Sequence, residues 1–240
     1  MKNKKLTFQK GLKDGLPICL GYLPISFAFG MEAVQNGLHW WIPLMISMTN
    51  LTSAGQFAGL SLILSGGAYI EIAVTTFIIN IRYMLMSLSL SQKVEDKMTT
   101  TERGLISFGI TDEVFAIASQ QFGTLNTSYM LGLIATPYLG WAIGTLLGAT
   151  ATNLLPLAVK TALGIAIYGM FIAIIVPPAK KAKPVLITCM IAVCISCLFK
   201  WVPFLNQVSV GWVIIIAALF AAGYCAYRYP IDEDKQEVTE

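Results

Sequence analysis

The sequence predicts an all-α fold: a polytopic transmembrane helical bundle of about seven to eight spans, with the second segment broken or re-entrant. Three observations carry this. Of 240 residues, 56% are hydrophobic and only 12% charged, which is membrane composition rather than that of a soluble domain. The apolar residues fall in blocks of about 20, the length that crosses hydrocarbon. Lysine and arginine gather at the block ends, where they report orientation. The net charge of +3 is too small to argue for nucleic acid.

The chain divides into a basic start over residues 1–15, a transmembrane domain over 16–228 and a polar tail over 229–240. The start, "MKNKKLTFQKGLKDG", carries five lysines and reads as a retained cytoplasmic N-terminus, not a cleaved signal. Apolar segments follow at 16–34, 41–65, 69–91, 105–121, 128–149, 154–177, 184–203 and 207–228. In the first, Pro17 and Pro24 remove backbone donors and Gly21 and Gly30 add freedom, so a kinked span is expected.

The second segment contains "MTNLTSAGQFAG", where Asn50, Thr52, Ser53, Gly55 and Gln56 interrupt two apolar stretches. One reading is an unwound helix, tolerated at membrane depth only against protein or a wet cavity. Free N–H groups at a half-helix start would attract a carboxylate there. The other reading is a packing face of small residues, with Ala54, Gly55, Ala58 and Gly59 near a helical repeat.

The third segment, "TTFIINIRYMLMSLSL", places Arg82 in its interior, and the fourth, "GLISFGITDEVFAIASQQ", places Asp112 and Glu113 near its middle. A charge at a helix centre costs about 3 kcal/mol on insertion scales, so these groups should face one another or a cavity. One arginine neutralises one carboxylate. Asp112 is read as the charge partner and Glu113 as the group free to exchange a proton, with Glu71 and Glu32 next in line. Asn80, Tyr83 and Met84 share a face of the third helix while Arg82 points about 160° away from Asn80, which predicts a span buried within the bundle. The structural alternative is that Arg82 and one acid only pin two helices together.

Loop charges test the orientation. The basic start, "KKAK" at 180–183 and Arg228 agree with one side, whereas Lys93, Lys97 and Arg103 in "QKVEDKMTTTERG" fall on the other under simple alternation. A re-entrant second segment would repair this only with a second irregularity before "KKAK".

Other residues carry less. Cys19, Cys189, Cys194, Cys197 and Cys225 lie in apolar segments and read as packing. His39 sits in a short interfacial loop, Lys160 snorkels near a span end, and Asn153 before Pro156 is boundary chemistry. The N-x-[ST] matches at Asn50 and Asn126 have no secretory context. No nucleotide-binding, zinc-protease or serine-hydrolase motif occurs, and no cofactor is implied.

Four motifs in order, "GYLPISFAFG", "SAGQFAG", "NIRYML" and "ITDEVFAIA", resemble the AzlC family, the large subunit of bacterial branched-chain amino acid exporters, over about residues 10–230. The resemblance implies a multi-pass permease of the bacterial cytoplasmic (inner) membrane, driven by the membrane gradient. It would export leucine, isoleucine, valine, methionine and related apolar amino acids with a small hydrophobic AzlD-type partner. The motif residues that carry over are Gly55, Gln56, Asn80, Arg82, Asp112 and Glu113; Asn50 joins them from the polar break. Tyr83 stands where many relatives have histidine, which removes a group that titrates near neutral pH. The rivals are a carrier for another small metabolite and a membrane scaffold or assembly subunit whose charges only pair helices. An enzyme is not expected, for want of a nucleophile and base set.

Overall fold

The computed structural model describes residues 6–152, 154–156, 158, 172, 175–180 and 182–229. Nine helices are defined there: α1 Phe8–Gln35, α2 Trp41–Thr49, α3 Ser53–Leu64, α4 Tyr69–Ser91, α5 Thr100–Phe108, α6 Asp112–Ser119, α7 Thr127–Ala151, α8 Lys183–Trp201 and α9 Val210–Arg228. Five of them, α1, α4, α7, α8 and α9, are long and apolar enough to cross a membrane. The described chain is thus a polytopic helical bundle. Lys160, Asn153, the tail from residue 230 and most of the 154–177 segment lie outside the described residues.

The central scaffold is the pair α1 and α7, which pack parallel. Cys19 lies on Gly140, Leu23 on Gly144 and Phe27 on Gly148, so contacts advance in step along both helices. Gly132, Thr136, Gly140, Gly144 and Gly148 recur every four residues on α7 and make a groove for the α1 backbone. In lipid such close approach replaces hydrophobic burial as the source of helix association. α1 continues through both Pro17 and Pro24. At mid-height Tyr22 and Trp141 meet edge to face, ring centroids 5.1 Å apart.

Two faces can now be distinguished. Asn126 Nδ2 donates to the Leu6 carbonyl (2.8 Å), Lys10 Nζ to Gln121 Oε1 (2.7 Å), and Leu125 N to the Lys93 carbonyl (2.8 Å). The starts of α1 and α7, the end of α4 and the end of α6 therefore share one face, here the basic face. Three helices that begin there are capped by side chains, Thr7 for α1, Thr99 for α5 and Asn126 for α7.

α2 and α3 form a re-entrant hairpin from the opposite face. α3 runs antiparallel to α4, with Thr52 bonded to Asn80 near the middle and Gly67 beside Glu71 at the end. α1 ends at that same face, so the chain enters with α2, turns at mid-depth and returns with α3. The turns before α2 and after α3 are both Schellman motifs: Gly37 (φ +91°) and Gly66 (φ +72°) supply the left-handed residue, and Leu38 N and Gly67 N bond to the Ala33 and Leu62 carbonyls.

The fourth segment, expected as one span over 105–121, is instead a second hairpin. α5 rises from the basic face, the chain breaks at Gly109–Thr111, and α6 returns to the level of Lys10. Asp112 and Glu113 therefore lie in the first turn of a half-helix, not in mid-span. The local cause is the run Gly109, Ile110, Thr111: the glycine ends α5, and the Thr111 hydroxyl accepts from Val114 N (3.4 Å) to start a new helix.

This second irregularity resolves the charge conflict. With both hairpins folding back, the loop holding Lys93, Lys97 and Arg103 falls on the face of the N-terminus. α9 starts beside Glu71 at the opposite face, and Cys225 near its end bonds to the Pro184 carbonyl, which brings Lys180, Lys183 and Arg228 to the basic face too. Glu71 is buried and accepts from the Ser209 hydroxyl and from Gly211 N (3.0 Å), capping α9 from α4.

The expectation that the third span is enclosed fails. α4 packs on α3, α6 and α9, but Phe77, Met84, Leu85 and Leu88 on its outer side are exposed. Arg82 leans along the helix flank toward α6, so its partner does not require a second packed face.

Single cysteines in place of Thr7 and Lys97 are expected to react with an impermeant thiol reagent from one side of intact vesicles, and one in place of Ser65 from the other. Reaction of the Thr7 and Lys97 variants from opposite sides would restore simple alternation.

Candidate functional site

The hairpin tips meet at mid-depth. Leu51 and Ser53 from the first tip, Thr111, Asp112 and Glu113 from the second, Tyr22, Tyr83 and Trp141 line a cavity of about 20 Å³, room for about one water. An amino acid cannot occupy it until the tips part.

At the first tip, Thr52 donates its hydroxyl to Asn80 Oδ1 (2.7 Å), and the N-terminus of α3 has no side-chain cap. The positive end of a half-helix dipole is thus left at the cavity wall. Gly55 permits this arrangement: a Cβ there would meet Thr52 Cγ2 at 2.8 Å and Asn80 Oδ1 at 3.2 Å.

At the second tip, Asp112 pairs with Arg82 at 2.9 Å, with side chains 46% and 44% exposed. Arg82 also donates to the Tyr83 hydroxyl (3.3 Å) and lies over the Tyr83 ring. Glu113 points elsewhere: Tyr22 is within hydrogen-bond distance of both Glu113 Oε2 (2.5 Å) and Thr111 Oγ1 (2.8 Å). Two adjacent carboxylates in the first turn of α6 suit its dipole and keep separate partners. The polar centre is open on the flank of α4 and α6.

Gln56 belongs to a different network. It is buried, its Nε2 donates to Ser47 Oγ (2.9 Å), Ser47 bonds Thr145 Oγ1 (2.8 Å), and Thr145 donates to the Trp141 carbonyl (3.0 Å). This chain ties α2, α3 and α7 together. Gln56 Oε1 and Trp141 Nε1 are buried with no partner among the described residues. Asn50 ends α2 at the first tip, but its neighbours Leu51 and Ser53 line the cavity in its place.

Of the residues singled out from sequence, the fold groups Gly55, Asn80, Arg82, Asp112 and Glu113 around the two tips. It adds Tyr22, Thr111 and Trp141. Thr111 could have been found from the helix-start signature of Thr before Asp-Glu, and Tyr22 lies inside the motif "GYLPISFAFG"; nothing local marks Trp141, which arrives by tertiary packing of α1 on α7.

The fold and centre define a class: a helical membrane protein with a polar site where two oppositely inserted hairpins meet. The AzlC protein family matches residues 17–155, more than half of the chain, and the chain belongs to that family. It is 29% identical to the inner membrane protein YgaZ of Escherichia coli K12 over 189 residues, 76% of this chain and 77% of the relative. It is 31% identical to an uncharacterized membrane protein of Archaeoglobus fulgidus over 180 residues, 74% of this chain and 78% of the relative. A Helicobacter pylori J99 membrane protein shares 26% over 149 residues, 59% of this chain and 64% of the relative. No solved structure matches. AzlC is a membrane-transport family, and the chain's role is of that kind.

Two glycines one turn apart make a paired test. Gly55→Ala should destabilise the protein by about 1–3 kcal/mol through overpacking against Thr52 and Asn80. Gly59→Ala, whose nearest neighbour would be Thr76 Oγ1 at 4.0 Å, should be neutral or gain up to about 1 kcal/mol from helix propensity. Thermal unfolding in detergent measures both, and equal effects would overturn the close approach at the tip.

Proposed function

We propose that the chain is a gradient-driven secondary transporter that exports branched-chain and related apolar amino acids, leucine, isoleucine, valine and methionine, across the bacterial cytoplasmic membrane. The N-terminus and the basic face lie in the cytoplasm, in keeping with the lysine and arginine bias. The observation that carries the reading is the meeting of two hairpin tips, one from each face, at an arginine and two carboxylates.

The centre is complementary to a zwitterion. The uncapped start of α3 and the Arg82 guanidinium suit a carboxylate, and Asp112 or Glu113 suits an ammonium, while Leu51, Tyr22 and Trp141 supply apolar walls. Opening of the α5–α6 hairpin would admit substrate from the cytoplasm and opening of α2–α3 would release it. A substrate carboxylate that displaces Asp112 from Arg82 would loosen the second tip, which gives substrate a means of biasing the hairpins. Glu113, held by Tyr22 rather than by arginine, is the group free to carry the coupling proton.

A small AzlD-type membrane partner completes the transporter. The half-exposed Arg82 and Asp112 side chains at membrane depth support it, since exposed charges in hydrocarbon need cover.

Counterflow of labelled leucine into vesicles loaded with unlabelled leucine tests the activity; absence of counterflow for all four amino acids, with and without the partner, sinks it. Arg82→Ala and Arg82→Lys should each cut export at least about tenfold, because lysine lacks the bidentate fork, with protein still in the membrane. A purely structural pair predicts loss of protein instead, and full rescue by exchanging Arg82 and Asp112. Glu113→Gln should keep leucine exchange and lose the response to a pH gradient, whereas Asp112→Asn should lose both.

A further inference from the structure

A second, larger cavity, about 340 Å³, lies on the basic face beneath α5. Its walls are Leu90 at the end of α4, Met98, Arg103, Ile106 and Ile110, with Met130 from the first turn of α7. We propose that this cavity is a binding vestibule for apolar amino acids, occupied before the central site; the inference rests on the transport reading and names the entry route for the same substrates.

Three observations support it. The volume falls in the range of about 300–1,000 Å³ for small-molecule pockets, and a mostly apolar lining with one cation fits an apolar side chain and a carboxylate. Arg103 is held by a single bond from Nε to the Met98 carbonyl (3.2 Å), and the ion pairs found among the described residues, Lys10–Asp14 and Arg82–Asp112, do not involve it. Its remaining donors are available to a carboxylate.

The second tip contributes to both spaces. Ile110 lines this cavity, and the next residue, Thr111, lines the central one. Along α1 and α2 the other hairpin is packed closed: Phe57 packs edge to face on Phe29, centroids 5.4 Å apart, Leu60 is buried beside Ala33, and Gln56 is bonded to Ser47.

The test uses the full chain with its five native cysteines replaced and a cysteine introduced at Ser107, an exposed residue of the lining. A cationic impermeant thiol reagent applied from the basic face should label Ser107→Cys, and saturating leucine should slow labelling at least about fivefold where glutamate does not. Labelling should stop leucine movement. Arg103→Gln should raise the KM for leucine presented at the basic face about tenfold with kcat within about twofold, and Arg103→Lys, which keeps the charge, should recover most of it. Labelling that is indifferent to leucine, or that responds instead to the phosphatidylglycerol content of the vesicles, overturns the proposal and makes the cavity a lipid groove. Leucine protection is a binding readout, so protection on a chain that does not move leucine supports the vestibule and overturns the transport reading alone.

Discussion

The constraint on which the structure depends is that peptide groups cannot be left bare in hydrocarbon. The chain breaks its helices at Asn50–Thr52 and at Gly109–Thr111, each time at mid-depth. Neither tip is tenable against lipid. Placed against each other and against α1, α4 and α7, they find partners: Thr52 reaches Asn80, and Thr111 serves both Val114 N and the Tyr22 hydroxyl. The parallel α1–α7 pair is the wall that allows this, because a glycine groove brings Tyr22 and Trp141 together at the level of the tips.

Placing charge at such a meeting point follows from the same physics. Two half-helix N-termini concentrate positive potential, so Asp112 and Glu113 in the first turn of α6 are favourable where a mid-span carboxylate would not be. Arg82 balances one of them and leaves the other to Tyr22. Because the hairpins enter from opposite faces, the centre has one hairpin wall toward each face, and each is bonded to the helix pair behind it, α2–α3 through Ser47 and Thr145 and α6 through Tyr22.

The basic face shows how local and global information interact. Lys93, Lys97 and Arg103 contradict a chain that crosses once per apolar segment, and they are consistent with one that folds back twice. The break in the second segment was legible as a run of small and polar residues. The break in the fourth was written in Gly109 and Thr111, yet a segment of spanning length concealed it, since hydropathy counts residues and not direction. Gln56 shows the converse: its motif is conspicuous, but its side chain bonds Ser47 on α2 rather than lining the cavity.

By itself the sequence determined that this is a polytopic helical membrane protein, where its apolar segments lie, and that Arg82 requires an acidic partner, because solvation in hydrocarbon is severe enough to be read from composition and spacing alone. Only the tertiary structure decided that the fourth segment, too, returns to the face it entered from, and that Trp141 and Thr111 complete the centre. Those outcomes depend on which helices pack in register, and in a uniformly apolar environment the glycine and threonine contacts that set the register leave almost no trace in hydropathy.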